Sequence, residues 1–220
     1  MNLTAWHPEL GQLVYGVHRL SDDPDTQVAQ TIQRMARNVR EDAASAPILN
    51  EAAGIQASGS GDPVSDTFWH VKGRVGFRQD EQLAAPALPL LQQHDPGASV
   101  VEVIVRPRDL AQMPQPLEDC DGFASYLPAL LRAQGVKCNF VTVAADARDT
   151  SRFSHVYAAC YPNGQRVSLD ASHGAYPGWE CLSAGPVWRI KEWDIDAVDW
   201  GQLVLWGLFL FAAGKVLGVL

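Results

Sequence analysis

Several features that would mark a function at once are missing from this sequence. Four cysteines occur among 220 residues, but none forms a CxxC pair, which excludes a zinc site assembled from paired thiolates. The even count would permit two disulfides. Lysine and arginine form no basic run, and the formal net charge is −8. Phosphate binding needs a basic surface, so nucleic acid is excluded as a general partner. Residues 1–7 show no basic region followed by an apolar one, so no secretory signal is expected and the thiols are expected to be reduced. No clustered Asp/Glu run suggests calcium, no metal or cofactor is expected, and there is no repeat or low-complexity tract.

One long stretch is almost without charge. Across residues 200–220 the only charged side chain is Lys215. About 20 helical residues at 1.5 Å each span roughly 30 Å, the hydrocarbon thickness of a bilayer. Lys215 is close enough to the end to snorkel, and Trp200 and Trp206 suit the opposite headgroup level. A membrane-spanning or membrane-associated C-terminal helix is expected, with the rest of the chain cytoplasmic or inside a particle. The other reading is a terminal helix buried in the domain or in a partner.

The remaining chain divides by periodicity. Residues 1–20 form a lead-in that is either amphipathic or extended. A helix is expected from Thr26 to about Ala44, with Val28, Ile32, Met35, Ala36 and Val39 on one face and Arg34, Arg37 and Arg40 outside. A Gly/Ser loop follows over residues 54–63, then a helix from Val64 to about Gly73 with Phe68, Trp69 and Val71 as contacts. Within it, His70 is a catalytic candidate in type, but a packed or exposed histidine is the ordinary reading. Residues 75–78 read as extended, 81–97 as loop, and the β-branched run 100–105 as a strand or edge strand.

The chemistry gathers around Glu118-Asp119-Cys120-Asp121-Gly122. Asp119 is a suitable N-cap and Gly135 a C-terminal stop, so Cys120 belongs in the first turn of a helix, where the dipole favours a thiolate. Pro128 inside that helix removes one hydrogen bond and should bend it. Strands are then expected over 137–143, 154–161 and 165–170, with Pro162-Asn163-Gly164 as a tight turn. Antiparallel pairing through that turn brings His155 and Asp170 to one sheet edge. If the edge faces the N-terminus of the Cys120 helix, thiol, imidazole and carboxylate align. Cys138 and Cys160 fall inside strands and read as small core residues. His173 is the substitute base, and residues 176–179 form a structured loop near the site.

A cysteine in a D-C-D helix start, then S-H-V-Y before a Pro-Asn-Gly turn, then S-L-D-A, resembles the transglutaminase-like superfamily on a papain-like fold. The likeness is best over residues 115–174, and residues 68–80 are similar to the segment preceding the cysteine loop in compact bacterial and phage-type members. It implies Cys120 as nucleophile, His155 as general base and acid, and Asp170 as the group that orients the ring. Many members carry aromatics where this chain has Val156, Tyr157, Ser168 and Leu169, so its substrate groove is expected to differ. For the oxyanion the Cys120 N–H is one expected donor, with Gln115 or Trp69 supplying another. Asp119 and Asp121 are expected to cap the helix and bond neighbouring loops.

The expected fold is therefore α+β. A helical N-terminal part (1–110) precedes a papain-like or transglutaminase-like core (111–185), in which the nucleophile helix packs on an antiparallel sheet. A connector (186–199) then leads to the C-terminal hydrophobic helix (200–220). The expected activity is thiol-dependent acyl transfer on peptide or side-chain amides, hydrolysis rather than cross-linking, with a protein or peptide substrate. The rival reading is a non-catalytic, membrane-anchored or virion structural protein with a vestigial triad.

Overall fold

The computed structural model describes residues 2–99 and 102–197. The expected C-terminal helix at 200–220 lies outside them; among the described residues, no helix is long and apolar enough to cross a membrane. The fold is α+β, with seven helices and mainly antiparallel strands among those residues.

The lead-in proves extended: β1 (Asn2–His7) and β2 (Gly11–Gly16) form an antiparallel hairpin in which Ala5 faces Leu13. Its alternation is too short to separate from a helical one by pattern alone. The hairpin is tied to the body by the Tyr15 hydroxyl, which donates to the Leu83 carbonyl at 2.8 Å.

Helix α1 (Pro24–Asp42) starts where expected, because the Asp23 carboxylate accepts from the Thr26 N–H at 2.9 Å and Pro24 occupies the first turn. Its apolar face buries Ile32, Met35, Ala36 and Val39. Helix α2 (Ala46–Ser58) runs through Gly54 and Ala57, so the Gly/Ser loop expected from residue 54 shrinks to a few residues after Ser58. Burial of Ile48, Ala52 and Ile55 on one face outweighs the cost of about 1 kcal/mol for an interior glycine. Helix α3 (Pro63–Arg74) is capped by Asp62 and buries Val64, Phe68 and Val71.

A two-residue strand, β3 (Gly76–Phe77), follows. Residues 81–97 are not loop: α4 (Asp80–Ala84) and α5 (Leu88–His94) occupy most of that stretch. Alanine and glutamine carry adequate helix propensity there, and the prolines stay out of helix interiors: Pro89 is in the first turn of α5, while Pro86 and Pro96 lie outside the helices. The expected strand at 100–105 is absent among the described residues of that stretch, 102–105. Its β-branched residues pack against the core as irregular chain leading into α6 (Pro107–Leu110).

Strand β4 (Leu117–Glu118) pairs in parallel with β3, Phe77 opposite Glu118, and runs straight into α7 (Cys120–Ala133). The guanidinium of Arg74 braces the intervening loop by donating to the carbonyls of Ala111 and Met113 at 3.0 and 2.9 Å. Helix α7 is the centre of the molecule, buried from Asp121 to Leu131 between α1, α2 and α3 and the sheet. Complete burial of Leu127, Leu130 and Leu131 stabilises it by about 1.5–3 kcal/mol per side chain. The helix continues through Pro128, and Gly135 with φ of 80° ends it.

The main sheet is antiparallel, in the order β7-β6-β5-β8: β7 (Val167–Leu169), β6 (His155–Cys160), β5 (Cys138–Ala144) and β8 (Arg189–Asp194). The stretch expected as a connector thus supplies an edge strand, held by a hydrogen bond from Trp193 Nε1 to Thr142 Oγ1 at 2.8 Å. The expectation of four reduced thiols is also corrected. Register places Cys138 directly opposite Cys160, and the two form a disulfide, leaving Cys120 and Cys181 free. Pairing across strands can be read only once register is known, which explains the error.

Candidate active site

Each corner of the site is placed by a different element. Cys120 is the first residue of α7, held there by Asp119, whose carboxylate accepts the Asp121 N–H at 3.1 Å. His155 opens β6. Asp170 follows β7, and the turn at 162–164, with Asn163 and Gly164 both at positive φ, returns the chain so that Ala158 faces Leu169.

The imidazole and carboxylate meet as expected: His155 Nε2 lies 2.7 Å from Asp170 Oδ2, with both side chains buried. The other Asp170 oxygen accepts from Ser172 Oγ at 2.8 Å and from the His173 N–H at 3.0 Å. Burial opposes ionisation of Asp170, but the bond to His155 and these donors outweigh it and hold the carboxyl below its ordinary range. Because Nε2 is committed to Asp170, Nδ1 is the nitrogen left for a proton from Cys120.

Cys120 and His155 line one cleft of about 670 Å³, shared with Phe77, His173, Trp179 and Cys181. No hydrogen bond joins the thiol to the imidazole in this conformation. Burial pushes the Cys120 thiol up well above its ordinary value, and the Asp119 carboxylate adds to this. Only the Val156 N–H, next to His155 on β6, pulls the other way. Cys120 itself is only partly buried, and these influences favour the thiol over the thiolate. His173 sets its ring edge against His155, with centroids 4.8 Å apart, and against Phe77 at 5.3 Å. Its proton affinity is lowered by burial and by His155. It is a neighbour in the cleft, while His155 alone bonds Asp170 through a ring nitrogen. The Cys181 thiol is pushed up to about 11 by burial, then by Asp170.

Two expected donors are elsewhere. Trp69 is 49% exposed, edge-on to Phe68, and does not line the cleft. Phe68 takes the inward position on α3, and the next residue is turned about 100° away. Gln115 is exposed in the loop before β4. His70 is partly exposed and bonded to Glu51 at 2.6 Å, outside the cleft. Gln79, which sequence reasoning missed, does line the cleft. Parallel pairing of Phe77 with Glu118 precedes both Gln79 and Cys120, which line the same cleft. Gln79 precedes α4 without using its side chain as a cap. Only the short extended piece at 75–78 hinted at this.

The surroundings of Cys120 are strongly acidic. Asp119 caps the helix as expected, but Asp121 bonds no neighbouring loop. Its carboxyl is 2% exposed, and the group it meets is the Asp119 carboxyl. Burial and then Asp119 push Asp121 well above the usual carboxyl range. Asp80 is pushed up to about 8 by burial, Asp119 and Glu102. Glu118, fully buried, is raised by that burial and by Asp119. Its side chain lies where a Cβ on Gly122 would stand, 2.3 Å from Glu118 Cγ, so only glycine fits there. No family model, no curated protein and no solved structure matches this chain.

Proposed function

We propose that the protein is a thiol-dependent acyl-transfer enzyme with a transglutaminase-like, papain-like core. In this reading Cys120 is the nucleophile, His155 the general base and acid, and Asp170 the residue that orients the ring. The observation that carries the reading is the buried 2.7 Å bond between His155 and Asp170, opening onto the same cleft as a cysteine in the first turn of the central helix.

In this reading the reaction starts from Cys120 as a thiol. His155 Nδ1 takes the thiol proton as Sγ attacks the carbonyl carbon, and the imidazolium formed is stabilised by Asp170. The developing oxyanion is met by the Cys120 N–H and the Gln79 side-chain amide. Collapse breaks the C–N bond, His155 returns its proton to the departing amine, and an acyl-thioester remains. Water, deprotonated by His155, then releases the acid and restores the thiol. Hydrolysis of peptide or side-chain amides is preferred to lysine cross-linking, since nothing among the described residues identifies an amine pocket. Residues 200–220 would tether this activity to a membrane, with the catalytic part cytoplasmic or inside a phage-type particle.

Iodoacetamide labelling, followed by peptide mass spectrometry, tests the reading. Cys120 should be alkylated faster than Cys181, and the advantage should fall by about tenfold or more in His155→Ala, the usual scale for a lost general base. Equal labelling of the two thiols, unchanged in that variant, would favour the second reading, a non-catalytic anchored module. The acidic surroundings of the thiol are the observation behind that alternative.

A further inference from the structure

Ser172 couples the second histidine of the cleft to the triad. Asp170 is held in its ionised form, so its oxygens can only accept, and the Ser172 hydroxyl donates to Oδ1 at 2.8 Å. The same Ser172 Oγ lies 2.9 Å from His173 Nδ1. With its one hydrogen given to Asp170, Oγ can only accept from the ring, so Nδ1 carries the proton. In a neutral imidazole the other nitrogen then keeps its lone pair, and His173 Nε2 is left as an acceptor. Burial, then the neighbouring His155, lowers the proton affinity of the ring and so keeps it neutral. The backbone holds this arrangement in a tight turn. His173 N–H donates to Asp170 Oδ1 at 3.0 Å, and Gly174 N–H donates to the Asp170 carbonyl at 2.7 Å. A Cβ on Gly174 would stand 2.5 Å from that carbonyl oxygen, so only glycine closes the turn. His173 lines the cleft that holds Cys120 and keeps contact with solvent.

We propose that His173 Nε2 positions the water that resolves the acyl-enzyme, accepting one of its hydrogens while His155 Nδ1 takes the other. This assignment rests on the acyl-transfer reading above and adds a water-positioning residue to it. In the step, the water oxygen bonds to the acyl carbon and the C–S bond breaks. One water proton passes through His155 to the leaving sulfur of Cys120. The second stays on the product acid and is hydrogen-bonded to His173 during the attack. A water held at both hydrogens turns a lone pair toward a third partner, the orientation that attack on a thioester needs. The two imidazoles meet edge to face with centroids 4.8 Å apart, so a water bonded to one is within reach of the other. The earlier attack by Cys120 Sγ uses no water and does not call on His173.

The test uses the full-length chain and has two readouts, one of them independent of activity. Long-range proton–nitrogen NMR at neutral pH should show His173 protonated at Nδ1 and bare at Nε2. Ser172→Ala, which leaves every ring in place, should move the proton toward Nε2. In stopped-flow with p-nitrophenyl acetate, the burst reports acylation of Cys120 and the steady state reports its hydrolysis. His173→Phe keeps a ring against His155 and Phe77 but removes the acceptor. Its burst rate should stay within about twofold of the wild type while its turnover falls by about tenfold or more. If His173→Phe does not fold, Ser172→Ala carries the kinetic test, with turnover falling more than the burst. An Nε2–H form of His173 in the wild type overturns the assignment. So does an undiminished turnover, or a burst that falls in step with it, since the ring would then only support His155. A wild-type protein that is never acylated on Cys120 overturns the acyl-transfer reading and this assignment with it. The other adverse results leave that reading standing, so the two failures are told apart.

Discussion

At the scale of single residues, Gln79 offers the sharpest separation between a catalytic and a packing role. It lines the same cleft as Cys120, just past the parallel pairing of β3 with β4. Gln79→Ala should slow acylation of Cys120 by p-nitrophenyl acetate by about a hundredfold, the usual scale for one oxyanion donor. Alkylation by iodoacetamide forms no oxyanion, so its rate should stay the same. A parallel fall in both rates would mean that Gln79 only supports the fold. The triad residues could be proposed from sequence, since Cys120, His155 and Asp170 each sit at the end of a strongly patterned element. Gln79, Asp80 and Glu102 could not. They lie in stretches with weak periodicity and approach Cys120 only through a two-residue strand pairing that leaves no mark in composition.

At the scale of elements, the Cys138–Cys160 disulfide joins neighbouring strands at the end of the sheet opposite His155. It closes a loop with a sequence separation of 22. Chain-entropy arguments put the stabilisation from such a closure at about 3 kcal/mol. Replacing both cysteines by alanine should therefore lower the unfolding free energy in urea by roughly that amount, and alkylation of Cys120 should be unchanged. No change in the urea midpoint would show that the bridge does not persist in solution. Helix α7 illustrates which elements were legible. Its cap, its apolar content and its glycine stop agree with one another, so its limits followed from sequence. The pieces α4, α5 and β8 were missed for a physical reason. Short helices and edge strands take their stability from neighbours, and their own propensities are close to indifferent.

At the scale of the whole molecule, the buried acids set how stability depends on pH. Asp80, buried in the fold, is pushed up to about 8 against 3.8 ordinarily. Between those limits the folded protein keeps protons that the unfolded chain has lost. The unfolded state thus binds fewer protons, and stability falls as pH rises, by up to about 1.4 kcal/mol per pH unit for each such group. Asp170 acts in the opposite sense: its carboxyl is held low, so its contribution is lost only as pH falls below the ordinary carboxyl range. In chelator-treated protein, the urea midpoint should be higher at pH 5 than at pH 8. The net charge of −8 reinforces that direction. An equal or higher midpoint at pH 8 would show that the acids are ionised and compensated in the fold.

The α+β class, the helix that begins at Cys120, and the three-stranded run carrying His155 and Asp170 to one edge were determined by local sequence. Caps, apolar periods and turn residues act over a few positions and can be read without a fold. Tertiary structure alone decided which side chains became neighbours across elements. The disulfide depends on register, the place of Gln79 on one parallel pairing, and the clustering of Asp80 and Glu118 around Cys120 on how α4 and α7 begin. Those proximities arise from closing the chain around α7, and burial then changes the chemistry of the groups so gathered. Cys120 shows the consequence most directly, since its helix position favours a thiolate and its buried, acid-lined setting holds a thiol.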